Sequence, residues 1–352
     1  MLEEKDKDKY TYMLRTSNDE YKYWKYNDSD GLIATIQEMS IRCNKAENMN
    51  DEYDCAPPFV CNDFMDNNAI YVNKYENSLR GMIYNLLKND YVTSFTLSGY
   101  DNVLMWGHYT NKYSGGVIEF NNTNQVFKVG SVVVGYEDNP IEVTKDFCEF
   151  WIDNREDIPN PELVFYDLLR MYNTKSKHWG YENEIRYWTG IPEDCENGKF
   201  DVPLSGYKEE LKIVKISEDE KYVHVPIYPK NINAIYIGHK MSGLDKLRLY
   251  CAMKKNNINV PVRVLKPKRD EYKLEFVEGD FSLRYIMQHI LNDFEHKNDC
   301  ELKIIYDTID LMDENDDLDK LLDDIYALQN KRTDKLYEIR KLIVDKTHTM
   351  EK

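Results

Sequence analysis

The sequence predicts an α+β fold, with a central mixed or antiparallel sheet, flanking helices and a C-terminal helical appendage. Many short strand patterns are interspersed with helical ones, but tight β-α-β periods are few. Hydrophobic residues make up 42% of the 352 residues, which is enough for a packed core. Strand patterns stop after about residue 280. We therefore expect a polar tail (1–20), an α+β domain (21–278) and a helical region (279–352).

The individual elements follow from the spacing of apolar residues along the chain. In the first part of the domain, we expect strands over residues 21–26, 40–43, 92–98, 116–120 and 126–136, and helices over 32–36, 79–87 and 147–151. In the second part, we expect a helix opened by Pro161, a helix over 244–255, and strands over 184–189, 211–216, 222–227, 234–237 and 259–265.

The C-terminal region has a different pattern. Apolar residues recur at alternating steps of four and three from Leu318 to Ile343, with Gln329 and Arg332 in the middle. This heptad-like stripe is typical of a helix that packs on its own domain or on a neighbouring helix. A homo-oligomer or a partner-binding helix is the alternative. Between Asp299 and Asp324 the sequence contains eleven acidic residues and two lysines, which gives a net charge of −9.

Composition limits the class of partner. The net charge of −17 argues against long-range attraction to nucleic acid or an anionic membrane, although it leaves a local basic groove possible. The seven cysteines form no Cys-x-x-Cys pair, so free thiols are expected rather than a zinc site. The N-terminus lacks the apolar core of a signal peptide, and no segment is long and apolar enough to span a membrane. We expect a cytoplasmic protein.

Two aromatic clusters stand out as candidate functional sites. Trp106-Gly107-His108-Tyr109 is followed by a glycine-led strand that starts at Gly115-Gly116. The second cluster is Trp179-Gly180-Tyr181-Glu182-Asn183-Glu184-Ile185-Arg186. Each cluster combines rings that can stack with side chains that can titrate. We therefore predict one composite pocket, in which His108 and Glu184 lie within about 10 Å of each other.

At these residues the chain resembles the bacterial and phage family known as domain of unknown function 2971. The resemblance covers roughly residues 20–276 and follows, in order, Tyr21-Lys22-Tyr23, Asn50-Asp51-x-x-Asp54, Phe95-Thr96-Leu97-Ser98, Met105-Trp106-Gly107-His108-Tyr109 with Gly116 and Phe120, Lys175-x-x-x-Trp179-x-Tyr181-Glu182-x-Glu184-x-Arg186, and Ile235-Tyr236-Ile237-Gly238. Trp24 and Glu52 stand where the family often has Arg and Pro. The resemblance implies no activity, although family members are often associated with defence or accessory genes.

Glu182 and Glu184 are the candidate catalytic carboxylates. Residues two apart on a strand point to the same face, so the two carboxylates would repel and one would keep its proton to a higher pH than usual. That arrangement suits general acid–base catalysis, or stabilisation of an oxocarbenium-like ribosyl group. The alternative is a structural strip of ion pairs, because Arg186 lies on the same face and Lys175 is near in sequence.

Other side chains are candidates for ligand binding. His108 could donate a hydrogen bond to a ligand or act as a base near neutral pH, or it could instead cap a turn with its ring on Trp106. The predicted ligand-binding residues are Tyr23, Trp106, Tyr109, Lys175, Trp179, Tyr181 and Arg186. Gly115-Gly116 would allow a ligand close to the backbone.

These residues support three functional hypotheses. The first is an ADP-ribosyltransferase-like or NAD-cleaving enzyme, in which NAD is the substrate and no further cofactor is assigned. The second is a metal-dependent nuclease that uses Asp51, Asp54, Glu182 and Glu184. The third is a non-catalytic sensor or interaction protein that binds a small molecule in its pocket and a partner through its C-terminal helices. The sequence leaves these three alternatives open.

Overall fold

The structure is a computed structural model. It describes residues 22–49, 51, 53–55, 57–60, 81, 90–121, 131–152, 159, 161–190, 199–202, 212–216, 222–277, 281–283, 285–286 and 289–290. These residues form two compact units. Unit 1 holds the described residues within 22–25, 40–99 and 120–227, and unit 2 holds those within 26–39, 100–119 and 228–290.

Helices and strands alternate irregularly along the described chain. The strands are β1 (Tyr23–Asn27), β2 (Ser40–Lys45), β3 (Phe59–Val60), β4 (Asp90–Thr96), β5 (Gly116–Phe120), β6 (Ser131–Val133), β7 (Gly135–Glu137), β8 (Ile141–Glu142), β9 (Thr174–Ser176), β10 (Glu184–Gly190), β11 (Lys199–Val202), β12 (Lys212–Ile216), β13 (Tyr222–Pro226), β14 (Ile232–Gly238), β15 (Val262–Pro267) and β16 (Leu274–Phe276). The α-helices are α1 (Ser29–Glu38), α2 (Val103–Tyr109), α3 (Lys145–Ile152), α4 (Pro161–Tyr172) and α5 (Gly243–Lys255).

Unit 1 is built on an antiparallel sheet. Its strands follow the order β11-β12-β13-β2-β4, and β10 pairs with β4 along its whole length, from Glu184 opposite Thr96 to Gly190 opposite Asp90. β6 then pairs with β10 on its other side. Trp24 of β1 pairs with Thr96 of β4, and unit 1 also contains two small parallel pairs, β3 with β8 and β7 with β9. The β7–β9 pair is important for the site, because it carries Lys175.

Helices α3 and α4 cover apolar side chains of unit 1. Phe147 of α3 and Val164 and Met171 of α4 are buried in one cluster with Val92 of β4 and Ile141 of β8. Pro161 opens α4, as its fixed φ angle favours the first helical position. Burial of these apolar residues anchors the strands that carry the charged side chains described below.

Unit 2 contains a third parallel pair of strands. β14 and β15 run parallel and are joined by α5, while β16 pairs antiparallel with β15. Ser242 caps the start of α5 by accepting a hydrogen bond from the backbone N–H of Asp245. The Asn256 side chain, at the end of α5, donates a 2.8 Å hydrogen bond to the Ile36 carbonyl of α1. α1 and α5 thus pack together.

The predicted fold class is confirmed. The protein combines helices with a large mixed sheet, and the predicted elements at α1, β2, β5, α3, α4, β10, β14, α5 and β15 are found with shifted ends. β4 ends at Thr96 rather than at residue 98, and in place of one strand over 126–136, the described part is divided into β6 and β7. Most of the predicted helix over 79–87 and all of the heptad-like stripe lie outside the described residues. No helix among the described residues is long and apolar enough to cross a membrane.

Candidate functional site

A cluster of five charged side chains in unit 1 forms the candidate site. Its members, called the charged cluster below, are Asp54, Lys175, Glu182, Glu184 and Arg186. Lys175 lies on β9, Glu184 and Arg186 on β10, Glu182 at the end of the short 3₁₀ helix Lys177–Glu182, and Asp54 in the loop before β3. Distant parts of the sequence therefore meet at one point.

The 3₁₀ helix explains how Glu182 and Glu184 come together. We predicted Glu182 and Glu184 on one strand, but β10 begins only at Glu184 and Glu182 belongs to the 3₁₀ helix. Between them Asn183 adopts a left-handed conformation, with φ of 43°, which ends the 3₁₀ helix and turns the chain into β10. The two carboxylates converge through this turn, and not through the two-residue repeat of a strand.

Lys175 lies at the centre of the three carboxylates. Its Nζ is 2.8 Å from Glu182 Oε2, 3.3 Å from Glu184 Oε2 and 3.4 Å from Asp54 Oδ2. Its ammonium group, which has three donors, can thus donate a hydrogen bond towards each carboxylate. The ammonium occupies the centre of an oxygen-rich site that would otherwise suit a cation.

Arg186 binds the other side of the same carboxylates. Its Nε donates a 2.8 Å hydrogen bond to Glu184 Oε1, and one Nη pairs with Asp54. The other Nη donates a 2.9 Å bond to the carbonyl of Tyr172 at the end of α4. The planar guanidinium therefore fixes Glu184 and Asp54 relative to α4.

The whole cluster is buried. Arg186 is 0% exposed, Glu182 and Glu184 are each 2% exposed, Lys175 is 7% and Asp54 is 8%. Charged side chains this deeply buried lose their hydration, so they depend on their ionic partners. With every group ionised, three carboxylates face two cations, so the five residues carry a net charge of −1.

The pKa of Glu184 shifts opposite to the predicted direction, so the prediction that one of the two glutamates holds its proton to a higher pH stays a prediction for Glu182. Burial alone would raise the pKa of Glu184, but Arg186 and Lys175 outweigh it and lower that pKa to about 2. Burial likewise would lower the pKa of Lys175, whereas Glu184, Asp54 and Glu182 raise it above its ordinary value. Attraction to two cations outweighs the loss of hydration on burial, so Glu184 is a carboxylate at neutral pH.

Two neighbours of Glu184 were missed by the sequence analysis. Ser94 lies opposite Arg186 in the β4–β10 register, and its Oγ donates a 2.5 Å hydrogen bond to Glu184 Oε1. The backbone N–H of Glu184 donates a 2.8 Å bond to the Tyr136 hydroxyl. Ser94, a small polar residue in an otherwise mostly buried strand, could have signalled a polar site. Tyr136 gave no such signal, because its position depends on the β7–β9 pairing.

Trp179 and Tyr181 form an aromatic edge to the charged cluster. The Trp179 indole N–H donates a 2.9 Å hydrogen bond to Asp51, and Lys175 Nζ lies 4.9 Å from its ring centroid. The Trp179 and Tyr181 rings are 6.1 Å apart, and both side chains are partly exposed. The structure thus brings together Lys175, Trp179, Tyr181, Glu182, Glu184 and Arg186 of the predicted site.

Tyr23, by contrast, is part of the packing of unit 1. It is 1% exposed, and its ring meets that of Phe95 edge-on at 5.8 Å. Nothing in this geometry supports the predicted contact with a ligand, and the side chain instead fills space beside β4.

The first aromatic cluster lies in unit 2, on the helix that precedes the glycine-led strand β5. Trp106, His108 and Tyr109 all belong to α2, which Asn102 caps by accepting from the Leu104 and Met105 N–H groups. Trp106 is 0% exposed and stacks on Tyr113 at 5.7 Å, so it is a core residue of this unit. His108 is exposed, with its ring 6.3 Å from that of Tyr109.

The two glycines after α2 pack against the protein itself. A Cβ on Gly115 would lie 2.1 Å from the Asn27 carbonyl, and one on Gly116 would lie 2.4 Å from the Tyr236 carbonyl. Close approach of neighbouring backbone explains both glycines without a ligand. Because the first aromatic cluster and the charged cluster belong to different units, the pocket shared by His108 and Glu184 stays a prediction.

Metal binding finds little support in the part of the chain that the structure describes. No group of three or more His, Cys, Asp or Glu side chains there has the arrangement of a metal site. Asp54, Glu182 and Glu184 surround the ammonium of Lys175, and Asp51 accepts from Trp179.

Comparison with known proteins gave no match to a family model, a curated protein or a solved structure. The resemblance to domain of unknown function 2971 therefore stays a prediction from the motifs.

Proposed function

We propose that this protein is a cytoplasmic enzyme that cleaves the N-glycosidic bond of NAD or a related nucleotide, as ADP-ribosyltransferases and NAD-cleaving enzymes do. One observation carries the proposal. Glu184 is held as an ionised carboxylate by Ser94, Lys175 and Arg186, with its pKa lowered to about 2. The motif resemblance adds a bacterial defence or toxin setting.

An ionised, positioned carboxylate suits this bond cleavage. When nicotinamide leaves with the bonding electron pair, positive charge develops on the ribosyl carbon and ring oxygen. A carboxylate already oriented by hydrogen bonds stabilises that charge without reorganising. Water or another nucleophile then adds to the carbon and loses a proton. The net charge of −1 on the cluster favours the same developing cation.

The remaining roles follow from position. Glu182 orients the attacking nucleophile, and Lys175 and Arg186 act as positioning residues for Glu184. Trp179 and Tyr181, which are partly exposed at the edge of the cluster, provide faces on which a flat ring can stack.

A second candidate function is a non-catalytic sensor or interaction protein. It is favoured by the completeness of the ion pairing, because Asp54, Glu182 and Glu184 each contact a cationic side chain within the core. In this alternative the cluster holds unit 1 together, the aromatic edge binds a small molecule, and the C-terminal helices bind a partner or a second copy.

The experiment measures nicotinamide released from NAD by the full chain, together with transfer of ADP-ribose to any acceptor in a bacterial lysate. Glu184→Gln should abolish both activities, while Asp167→Asn serves as the matched control. Asp167 is also a buried carboxylate of unit 1, paired with Arg170 away from the cluster. Absence of release and of modified acceptor would exclude the proposal.

Two further outcomes identify the alternatives. If Glu184→Gln combined with His108→Ala preserves cellular activity, the sensor function is supported. Metal-dependent degradation of nucleic acid that is lost in Asp51→Ala would instead support the nuclease.

A further inference from the structure

Charge is distributed very unevenly along this acidic chain. Residues 228–277 contain eleven Lys and Arg but only four Asp and Glu, a net charge of +7. The rest of the chain therefore carries −24. All of residues 228–277 are described, and they form β14, α5, β15 and β16 of unit 2. Although the whole chain is acidic, residues 228–277 form a basic segment that can attract a polyanion locally.

Aromatic rings on two of these strands, together with Tyr100 from the loop before α2, form a continuous row, called the aromatic ledge below. Tyr236 of β14 stacks on Tyr100 at 4.2 Å with an interplanar angle of 11°, and Tyr100 lies 5.8 Å from Phe276 of β16. The Arg263 guanidinium lies 5.2 Å from the Phe276 ring centroid. Strand register explains the row, because Tyr236 pairs with Arg263 and Leu265 pairs with Phe276, so that these side chains share one face.

The aromatic ledge is anchored at one end and open at the other. The Tyr236 hydroxyl donates a 2.8 Å hydrogen bond to the buried carboxylate of Glu119, and Tyr236 is 3% exposed. Phe276 at the other end is 43% exposed, and Arg263 is exposed beside it. Tyr272, in the turn between β15 and β16, is fully exposed. Rings held in place before a ligand arrives lose little entropy on binding.

Within the described residues, two of the basic side chains around the ledge have no carboxylate partner. Lys266, Lys268 and Lys273 pair with Glu275 or Glu271. For Arg263 and Arg269, the described residues provide no carboxylate within ion-pair distance. Arg263 lies against the exposed ring of Phe276, and Arg269 lies in the neighbouring turn. This arrangement matches a ligand in which flat rings alternate with negative charges.

We propose that the aromatic ledge binds single-stranded nucleic acid, with an unpaired base stacked on Phe276 and the adjacent phosphates held by Arg263 and Arg269. Stacking on an exposed aromatic ring needs a base that is free of its complementary strand. An acidic peptide would satisfy the arginines but has no flat ring for Phe276. The ledge is a binding surface independent of the proposed NAD chemistry, and it explains why one part of an acidic protein is basic.

The test measures fluorescence anisotropy of the full chain with labelled oligo-dT and oligo-rU of twelve nucleotides, from about 50 to about 200 mM salt. Phe276→Ala should weaken binding about tenfold, because it removes one stacking partner. Phe276→Tyr should restore most of the affinity. Arg263→Gln should reduce the slope of log K against log salt by about 0.7, the value for one phosphate contact on a single strand.

Arg42→Gln is the matched control. Arg42 lies 5.2 Å from the Tyr222 ring centroid in unit 1, the same distance as Arg263 from Phe276. This variant loses an identical charge and an identical ring contact, and should bind as the native chain does. Circular dichroism checks that each variant is folded.

Three results would overturn the proposal. The native chain could show no saturable binding at the lowest salt, or Phe276→Ala and Arg263→Gln could both bind as Arg42→Gln does. Alternatively, polyglutamate, or a peptide of residues 299–324, could bind with the same affinity and the same dependence on Phe276. That last result would identify an acidic polypeptide as the occupant.

Discussion

Glu184 and Arg186, two residues apart on one strand, join through a 2.8 Å hydrogen bond from Nε to Oε1 while both side chains are almost fully buried. Alternation along β10 places them on the same face. The pair is tied to a loop residue, Asp54, that lies 132 residues from Arg186 in the sequence. The two-residue spacing of Glu184 and Arg186 thus contributes to a set of ion pairs that connects distant parts of unit 1.

Removal of Lys175 should strongly destabilise the protein. Lys175→Met leaves three buried carboxylates with Arg186 as their remaining cation in the cluster, and breaking a buried ion pair from one side costs about 3–5 kcal/mol. Chemical denaturation measures the free energy of unfolding. Lys177→Met is the control, because Lys177 pairs with Asp138 at the exposed surface and should leave stability unchanged. Equal stability of the two variants would show that the cluster is not held by Lys175.

Charge balance provides a further check of the same interaction. Lys175→Met combined with Glu182→Gln removes one positive and one negative charge that lie 2.8 Å apart. The double variant should recover part of the lost stability. Purely additive losses would mean that the two residues do not interact.

Lys25 should make stability depend on pH in the alkaline range. Its Nζ donates a 3.0 Å hydrogen bond to the Ser94 carbonyl, and burial lowers its pKa from 10.5 to about 8. Between these values, the unfolded chain binds a proton that the folded chain does not. Stability contributed by the neutral amine is therefore lost as pH falls from 10.5 to 8.

Lys25→Met removes this titration. The free energy of unfolding of the native chain should fall relative to that of Lys25→Met by on the order of 1–3 kcal/mol between pH 10.5 and pH 8. Lys22→Met, at a neighbouring exposed lysine, should show no such difference. Parallel curves for native and Lys25→Met would contradict a lowered pKa at this site.

Gly238 and Gly107 should respond oppositely to alanine. A Cβ on Gly238 would lie 2.0 Å from the Tyr113 carbonyl, so Gly238→Ala must displace backbone, at a cost of about 1–3 kcal/mol or more. A Cβ on Gly107 meets nothing within 4 Å, so Gly107→Ala should stabilise α2 by about 0.5–1 kcal/mol. Thermal unfolding compares them. If Gly107→Ala were destabilised, the added Cβ would have to meet a neighbouring group, which contradicts the open space around Gly107.

Trp179 should act through its ring more than through its indole N–H. Trp179→Ala should raise KM for NAD about tenfold, since loss of one stacked ring costs about 1–3 kcal/mol. Trp179→Phe retains a ring but loses the 2.9 Å hydrogen bond to Asp51, and should raise KM about threefold or less. If both variants lower kcat and leave KM unchanged, Trp179 does not bind the substrate ring.

The elements with clear periodicity could be predicted from the sequence, and the site only in part. Apolar spacing located α1 and α4, which each bury one face, and also α5, which is buried on more than one face. The two-residue spacing of Glu184 and Arg186 placed them together. The partners that strand pairing brings to these residues could not be identified from local sequence, because it does not specify the register. Ser94 reaches Glu184 through the β4–β10 register, and Asp54 reaches Arg186 from a loop.

Three differences from the predictions have clear physical causes. The prediction for Glu182 assumed that strand spacing continued backwards from Glu184, whereas the left-handed Asn183 ends a 3₁₀ helix there. A raised glutamate pKa was predicted from the repulsion between the carboxylates, whereas at Glu184 the attraction of Arg186 and Lys175 determines the direction of the shift. Trp106 of α2 was predicted to bind a ligand, although its side chain is buried in the core of unit 2.

The charge state of the Glu184 carboxyl group is the premise of the proposed chemistry, and NMR measures it directly. The protein is labelled with ¹³C at the glutamate carboxyl carbons, and the Glu184 signal is assigned by its loss in Glu184→Gln. We expect this signal to keep the shift of a carboxylate as pH falls through 4.5, with a midpoint near 2 or no titration while the protein stays folded. A midpoint at or above 4.5 would contradict it.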